Sequence, residues 1–280
     1  MKLIQKITIA YIRARFALLA AFSAKKAAQA AYKLFCTPQK KTVLPLTPLF
    51  TAADPLSFNI DGVTINGFRW NKGGSKRVQV VHGFESASQN FEPYIRGFLD
   101  KGYEVLAFDA PAHGLSGGRQ ITLPLYIKIL EEIYHRYGPI QSYLAHSLGG
   151  LALVHFLETL PADTSIRLAL VAPATESATV VNQFFKLLKL GQPVRKAFDD
   201  IILQTSGSTP EYYSIPRAIA QMNIPVLWVH DHDDTITPIK DVQPLIDKKY
   251  PHIQFLLTEG LGHRRIYRDE QVIKAITAFL

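Results

Sequence analysis

The sequence predicts an α/β fold, with a mostly parallel central sheet and helices on both faces. From residue 78 to residue 280, short apolar runs typical of buried strands alternate with amphipathic helical patterns. Such alternation produces βαβ crossovers, which place parallel strands side by side. A length of 280 residues is enough for one large domain with a substantial core.

Each predicted element rests on its own pattern. Asp61-Gly62 separates two β-like runs and is a strong signal for a two-residue hairpin. The predicted strands are Leu56–Ile60, Val63–Trp70, Val78–Val81, Val105–Phe108, Ile140–Ala145, Ile166–Val171, Pro225–Val229 and Ile253–Leu257. The predicted helices are Tyr94–Leu99, Leu123–Tyr137, the segment from Ser147 to Leu160, a helix near Ile239–Lys248, and Asp269–Leu280.

Charge and composition divide the chain into three parts. We predict a basic amphipathic helical arm at 1–41, a proline-rich linker at 42–55 and an α/β domain at 56–280. The arm holds nine Lys or Arg and no acid, whereas the remainder holds 22 basic and 23 acidic residues. Because the α/β domain is near neutral, we expect no nucleic-acid partner. The single cysteine, Cys36, excludes an internal disulfide and slightly favours a reducing compartment.

The arm admits two interpretations. On a helix, Lys6 and Arg13 fall on one side while Ile7, Tyr11 and Leu18 fall on another, which is typical of an interfacial helix. Residues 1–35 are therefore expected either to bind a membrane surface or to pack on the domain. No uncharged apolar run approaches the roughly 18 residues that a spanning helix needs. Basic residues on both sides of its apolar segment make a cleaved signal peptide a poor match, so we predict a cytoplasmic location, free or peripheral on a membrane.

One stretch carries the main chemical signal. Ala145-His146-Ser147-Leu148-Gly149 joins a predicted strand abruptly to a predicted helix. Small residues two places on either side of Ser147 permit a tight, strained turn that exposes the serine oxygen. This pattern resembles the nucleophile elbow of the α/β-hydrolase superfamily, with Ala145 in place of the usual glycine. A literal match to the usual motif, at Gly114–Gly118, is rejected because no periodic apolar face follows Ser116.

The resemblance extends to the partners that a serine nucleophile needs. In this superfamily an acid and then a histidine follow the serine along the chain, on loops after later strands. The segment His230–Pro238 resembles the family's acid loop and places the acid at Asp234, with Asp233 as the alternative. The base implied by the resemblance is His263, which follows the last predicted strand and two glycines. The oxyanion hole would use the backbone N–H groups of Phe84 and Leu148.

Several other side chains have competing interpretations. His230, His232, Asp233 and Asp234 have donor types that suit a metal, but no second ligand cluster occurs, and we expect neither a metal nor a cofactor. His82 and His113 are expected to be structural.

The segment 175–222 interrupts the alternation where this superfamily inserts a lid. Within it, Phe184, Phe185 and Leu188 share one helical face and would either line an acyl pocket or pack internally.

The sequence thus predicts an α/β-hydrolase that cleaves a carboxylic ester or thioester of a small acyl substrate through Ser147, His263 and Asp234. Two alternatives stay open. An acyltransferase would share these residues, and a receptor-like binding protein would keep them without appreciable turnover.

Overall fold

The computed structural model describes residues 3–41, 43, 45–161 and 165–280, with the side chains of residues 3–5 excepted. Met1 and Lys2 of the predicted arm, and Thr42 and Leu44 of the predicted linker, lie outside the described residues.

Strands and helices alternate along most of the described chain. The strands are β1 Asp54–Ile60, β2 Val63–Trp70, β3 Arg77–Val81, β4 Glu104–Phe108, β5 Ser142–His146, β6 Arg167–Val171, β7 Val226–Asp231 and β8 Ile253–Thr258. The helices are α1 Leu3–Phe22, α2 Ala24–Phe35, α3 Pro48–Thr51, α4 Glu92–Asp100, α5 Leu123–Tyr137, α6 Leu148–Leu157, α7 Ser177–Leu188, α8 Gln192–Ser206, α9 Ile215–Ile219, α10 Gln243–Lys248, α11 Gly262–Arg265 and α12 Glu270–Phe279.

All eight strands form one sheet in the order β1-β2-β4-β3-β5-β6-β7-β8. β1 and β2 form the predicted hairpin, in which Ile60 pairs with Val63. Asp61 and Gly62 between them both have positive φ, as a tight hairpin turn requires. β2 also runs antiparallel to β4, and every later pairing is parallel. The predicted α/β class with a mostly parallel sheet is therefore confirmed.

The topology places helices on both faces of the sheet. The connection from β3 to β4 crosses the sheet in the opposite direction to the connection from β4 to β5. Because such crossovers are right-handed, their helices α4 and α5 lie on opposite faces. α4 packs with α12, and α5 packs with α6. One apolar core, which includes Val80, Phe98, Leu144 and Ile276, fills the space between the sheet and the α4–α12 layer.

The chain separates into two compact units. The body comprises residues 38–175 and 214–280, and the helical unit comprises residues 1–37 and 176–213. The predicted division, by contrast, has a separate arm and an insertion of 175–222. The predicted linker also contains α3 and the start of β1, and α9 belongs to the body. These differences arise because compactness depends on contacts between distant segments, which local patterns do not report.

The helical unit has its own apolar core. α2 contacts both α1 and α8, and α1 contacts α7. Ala27, Ala28 and Ala31 of α2 are fully buried, because their small side chains let neighbouring helices approach closely. Phe198 of α8 lies at the centre, with its ring edge-to-face against Tyr32 and two other aromatic rings. Helices α1 and α2 of the arm are therefore buried on one side.

Within the described residues, no helix combines the length and the apolar character that crossing a bilayer requires.

Candidate active site

The parallel strands bring the predicted site residues to one edge of the sheet. β5 ends immediately before Ser147, β7 ends three residues before Asp234, and β8 ends five residues before His263. Since β5, β7 and β8 belong to one run of parallel strands, β5-β6-β7-β8, their carboxyl ends lie at the same edge of the sheet. Loops at this edge are where open α/β sheets present ligand sites.

Ser147 occupies a strained turn between β5 and α6. Its φ is 54° and its ψ is −125°, a conformation that a residue with a side chain rarely adopts. Gly149 makes the turn possible, because a Cβ at this position would lie 2.4 Å from the backbone oxygen of His82. The backbone of Gly83 lies close to Ser147, since a Cβ at position 83 would be only 2.7 Å from the Ser147 Cβ. The His82–Gly83 turn is thus held directly against the serine.

The Ser147 hydroxyl lies next to the His263 ring. The Oγ of Ser147 is 3.0 Å from Nε2 of His263, and Nδ1 of the same ring is 2.8 Å from Oδ2 of Asp234. Because a carboxylate can only accept, Nδ1 carries the proton that the ring donates to Asp234. Nε2 is therefore left as the acceptor for the serine hydroxyl. The structure brings these three predicted residues into one hydrogen-bonded line.

Asp234 is held by its own loop. Oδ1 accepts the backbone N–H groups of Ile236 and Thr237, and Oδ2 also accepts the Thr237 hydroxyl at 2.7 Å. Burial alone would raise the pKa of the Asp234 carboxyl, but hydrogen bonds from His263 and Thr237 lower the pKa below its usual value. The side chain consequently stays ionised next to the His263 ring.

Asp233, the alternative acid, has a different role. Its side chain is exposed, and its Oδ2 accepts the N–H of Gly260 at 2.9 Å. Asp231 is buried and accepts the Thr258 hydroxyl and the N–H of Leu261, so that it joins the acid loop to the loop before His263. The only sequence signal for this role is that Asp231 replaces the glycine usual in the family's acid loop. Thr237 gave no such signal.

The four candidate metal ligands do not converge. His230 is buried, and its two ring nitrogens contact the Trp228 N–H and the Thr237 carbonyl. His232 and Asp233 are exposed, while Asp234 contacts His263. In the part of the chain that the structure describes, no group of three or more His, Cys, Asp or Glu is arranged to hold a metal ion.

The predicted oxyanion donors lie on either side of the serine turn. Leu148 is the first residue of α6, so its N–H has no acceptor within the helix. Phe84 is the residue after Gly83, whose backbone lies against Ser147. Among the described residues, neither N–H donates to another backbone group in the loops and turns. Both N–H groups therefore lie in turns that are in contact with Ser147.

Two buried histidines fix the Phe84 loop. His113 accepts the N–H of Glu85 through Nε2 and donates from Nδ1 to the Pro111 carbonyl. His82 likewise accepts the N–H of Ala110 and donates to the Gly83 carbonyl. Burial lowers the pKa of His113 to about 4 and also lowers the pKa of His82. Both rings are therefore neutral, and their hydrogen bonds link the Phe84 loop to the Asp109–His113 segment.

His146 contacts both the backbone and the ring of His263. Its Nε2 donates to the His263 carbonyl at 3.2 Å, and the two ring centroids are 4.8 Å apart. The Tyr267 ring also packs against the His146 ring, with 4.6 Å between the ring centroids. Burial lowers the pKa of His146 to about 3, so the ring is neutral. No local sequence pattern indicates this contact between His146 and His263.

Ser116 has no comparable surroundings. It is fully buried in the loop between β4 and α5. Its hydroxyl donates to the Asp109 carbonyl at 2.5 Å and accepts the N–H of Asn66 at 2.9 Å. The hydroxyl is therefore engaged in holding the loop to β2.

The predicted pocket residues lie in the helical unit. Phe185 and Leu188 are buried in its core, and Phe184 is partly buried, with its ring 5.1 Å from that of Phe35. These contacts match the internal-packing alternative, and the acyl-pocket assignment stays a prediction.

Comparisons with known proteins give a consistent picture. The family model described as serine aminopeptidase, S33, matches residues 74–214 of the chain. The esterase Pf2001 of Pyrococcus furiosus has a similar structure, with a TM-score of 0.64 and 19% identity over 88% of this chain and 97% of that chain. A monoacylglycerol lipase of Paleococcus ferrophilus is also similar, with a TM-score of 0.58 and 21% identity over 77% of this chain and 99% of that chain.

A curated relative is much longer than this chain. An uncharacterised abhydrolase domain-containing protein of Dictyostelium discoideum is 22% identical over 61% of this chain, and the match covers 22% of its own length. The chain thus spans about a fifth of that relative.

Proposed function

We propose a function from one premise: this chain belongs to the α/β-hydrolase superfamily, through the family described as serine aminopeptidase, S33. The chain acts as a serine hydrolase that cleaves a carboxylic ester or thioester of a small acyl substrate. Ser147 is the nucleophile, His263 the general base and acid, and Asp234 the orienting carboxylate. The observation that carries this proposal is the 3.0 Å contact between the Ser147 hydroxyl and Nε2 of His263, continued to Asp234.

In the first half of the reaction, Nε2 of His263 takes the hydroxyl proton while the Ser147 oxygen attacks the substrate carbonyl carbon. The carbonyl oxygen becomes an oxyanion, which the N–H groups of Phe84 and Leu148 stabilise. The ionised Asp234 stabilises the imidazolium that forms. Collapse breaks the bond to the leaving group, which takes the proton from Nε2 and leaves an acyl enzyme.

In the second half, water attacks the acyl carbon and gives a proton to Nε2. Collapse of the second tetrahedral intermediate returns that proton to the Ser147 oxygen and releases the carboxylic acid. In an acyltransferase an alcohol or amine would replace this water, while every earlier step would stay the same. The names of the esterase and lipase neighbours support the choice of water and of an ester substrate.

The test compares two serines. We expect Ser147→Ala to abolish labelling by a fluorophosphonate probe and to lower kcat on short p-nitrophenyl esters by roughly four to six orders of magnitude. The matched control is Ser116→Ala, which should keep labelling and most of the activity, because Ser116 only holds a loop. Equal loss in the two folded variants would contradict the assignment of Ser147.

The substrate panel separates the alternatives. Matched acyl p-nitrophenyl esters, acyl-thioesters and aminoacyl p-nitroanilides report ester, thioester and aminopeptidase activity in one enzyme preparation. If Ser147 is labelled rapidly but none of these substrates is turned over, with or without an added alcohol acceptor, a receptor-like protein is favoured. Turnover that requires the acceptor would identify an acyltransferase.

A further inference from the structure

Helix α1 presents an apolar face that no described residue of its own unit covers. Its opposite face is buried, because Phe16 is only 5% exposed and packs in the core of the helical unit with the partly buried Ile12 and Leu19. Arg13 also ties α1 to α7, since its Nε donates to the Leu187 carbonyl at 2.8 Å. The rotation of α1 about its axis is therefore fixed within the unit.

The uncovered face, which we call the α1 outer face, consists of Ile7, Tyr11, Leu18 and Phe22. These side chains are 60%, 69%, 63% and 83% exposed. At 3.6 residues per turn they fall within an arc of about 60°, so they form one continuous stripe along the helix. Four large apolar side chains aligned in this way are unusual on a surface that contacts only water.

Positive charge surrounds the α1 outer face. Lys6 and Arg15 lie on either side of the stripe, and Lys25 and Lys26 lie in the first turn of α2, three and four residues after Phe22. All four are exposed, and none forms an ion pair within the described residues. The helical unit as a whole has 11 Lys or Arg and four Asp or Glu, a formal charge of +7, while the body has 20 basic and 19 acidic residues.

This charge decides which occupant fits the face. A second copy of the chain would bring two surfaces of the same sign together, and such like-charge contacts disfavour association. A surface of anionic lipid has the opposite sign and accepts apolar side chains at the boundary between headgroups and acyl chains. Tyr11 suits that boundary, since its ring is apolar and its hydroxyl remains in contact with water.

We propose that the α1 outer face binds the surface of an anionic lipid bilayer, with α1 lying parallel to the membrane plane. The apolar side chains insert, and the flanking cations contact lipid phosphates. This inference does not depend on the proposed hydrolase activity, because it uses no residue of the candidate active site.

The first experiment is co-sedimentation of the chain of residues 1–280 with vesicles. We expect binding to phosphatidylcholine vesicles that contain about one third phosphatidylglycerol, and little binding to pure phosphatidylcholine. Raising NaCl from about 50 mM to about 500 mM should weaken the binding at least severalfold, because salt screens the attraction. Failure to bind anionic vesicles at low salt would overturn the proposal.

The second experiment separates the apolar and charged contributions. Replacing all four residues of the α1 outer face with Gln keeps every charge, yet should weaken vesicle binding by roughly tenfold or more, since the inserted apolar area is lost. The control, Val43→Gln with Leu46→Gln, changes exposed apolar residues of the body and should bind as the unmodified chain does. Equal binding by the outer-face variant would overturn the proposal.

A matched pair of charge variants completes the test. Lys6→Glu, Lys25→Glu and Lys26→Glu should abolish most of the binding. The control makes the same change of charge in the body, through Lys240→Glu, Lys249→Glu and Lys274→Glu. It should retain most of the vesicle binding, because those exposed lysines belong to the other unit. Equal losses would mean that net charge alone drives binding, and would overturn the assignment to α1.

Folding and self-association are checked on the same samples. The outer-face variant removes only exposed side chains, so its circular dichroism spectrum and unfolding curve should match those of the unmodified chain. Light scattering after gel filtration should give the same mass for both. A dimer that becomes a monomer in the outer-face variant would identify a second copy as the occupant and would overturn the lipid proposal.

Discussion

Asp234 shows how a single carboxylate is suited to support a histidine base. Both of its oxygens accept hydrogen bonds, and Oδ2 accepts one from the Thr237 hydroxyl and one from the His263 ring. The Thr237 hydroxyl lies 3.1 Å from Nδ1 of His263 as well. The ring therefore has two oxygen partners on its Nδ1 side, which fix both its tautomer and its orientation.

We expect Asp234→Asn to be far more damaging than Asp233→Asn. An amide at position 234 can donate toward Nδ1 and so favours the wrong tautomer, which would lower kcat by roughly four orders of magnitude. Asp233 only accepts the Gly260 N–H at an exposed site, so its loss should change kcat by less than roughly tenfold.

The measurement is kcat on p-nitrophenyl esters, with circular dichroism to verify that both variants are folded. An inactive Asp233→Asn beside an active Asp234→Asn would transfer the role of the acid to Asp233.

At the scale of elements, the join between β5 and α6 is both a structural and a functional constraint. Gly149 lies in the first turn of α6, where its backbone passes against the His82 and Val81 carbonyls. Any side chain here would push the His82–Gly83 turn away from Ser147. The small residue that the elbow pattern requires is thus explained by contact with a neighbouring strand end.

We predict that Gly149→Ala impairs activity more than stability. A Cβ at 2.4 Å from the His82 oxygen must be relieved by a backbone shift, which moves the predicted oxyanion donor Phe84 relative to Leu148. Loss of one such donor typically costs roughly two to three orders of magnitude in kcat. The control is Gly191→Ala, because a Cβ there has only the ring of Pro193 near it, at 3.8 Å.

The comparison requires kcat and the urea midpoint for both variants. Unchanged kcat in Gly149→Ala would mean that the turn adapts without displacing Phe84, and would contradict the packing argument.

Elements of this kind were largely predictable from local pattern. The Asp61-Gly62 turn, β2 and α5 match their predicted bounds, since turn chemistry and local periodicity are properties of neighbouring residues. α3 and α11 were not predicted, because four residues are too few to show a period. Likewise, His146 and Thr237 contact His263 across more than twenty residues of sequence, a relation that no local pattern carries.

At the scale of the whole molecule, the same limit explains the two units. Amphipathic patterns predicted helices in the arm and in segment 175–222, but did not indicate that Ala28 and Phe198 belong to one core. Each helix had an apolar face in need of a partner, and several partners were compatible with the sequence. Charge distribution, in contrast, could be read directly, because it requires only counting along the chain.

The body also contains several buried histidines, which make its stability depend on pH. Burial lowers the pKa of His146 to about 3 and that of His113 to about 4, from an ordinary value of 6.5. Burial also lowers the pKa of His82 and His230. At a pH between the pKa of a histidine in the folded chain and its ordinary pKa, the unfolded chain binds more protons than the folded chain does. The free energy that these neutral, buried histidines contribute to the folded state is therefore fully present above about pH 6.5 and is lost as the pH falls below that value.

We predict that the free energy of unfolding of the body falls as the pH is lowered from 7.5 to about 5. At pH 5 each of His113 and His146 would account for a loss of about 2 kcal/mol. Urea unfolding can be followed by tryptophan fluorescence, since Trp70 and Trp228 are both buried in the body.

Two variants test whether the buried histidine rings cause this dependence of the free energy of unfolding on pH. His113→Asn should lower stability at pH 7.5, because the Glu85 N–H loses its acceptor, and should also reduce the dependence on pH, because the residue no longer titrates. His135→Gln removes an exposed ring and should leave both quantities unchanged. A free energy of unfolding that is flat between pH 7.5 and 5.5 in the unmodified chain would contradict the prediction, since neutral buried histidines require the unfolded state to take up protons first.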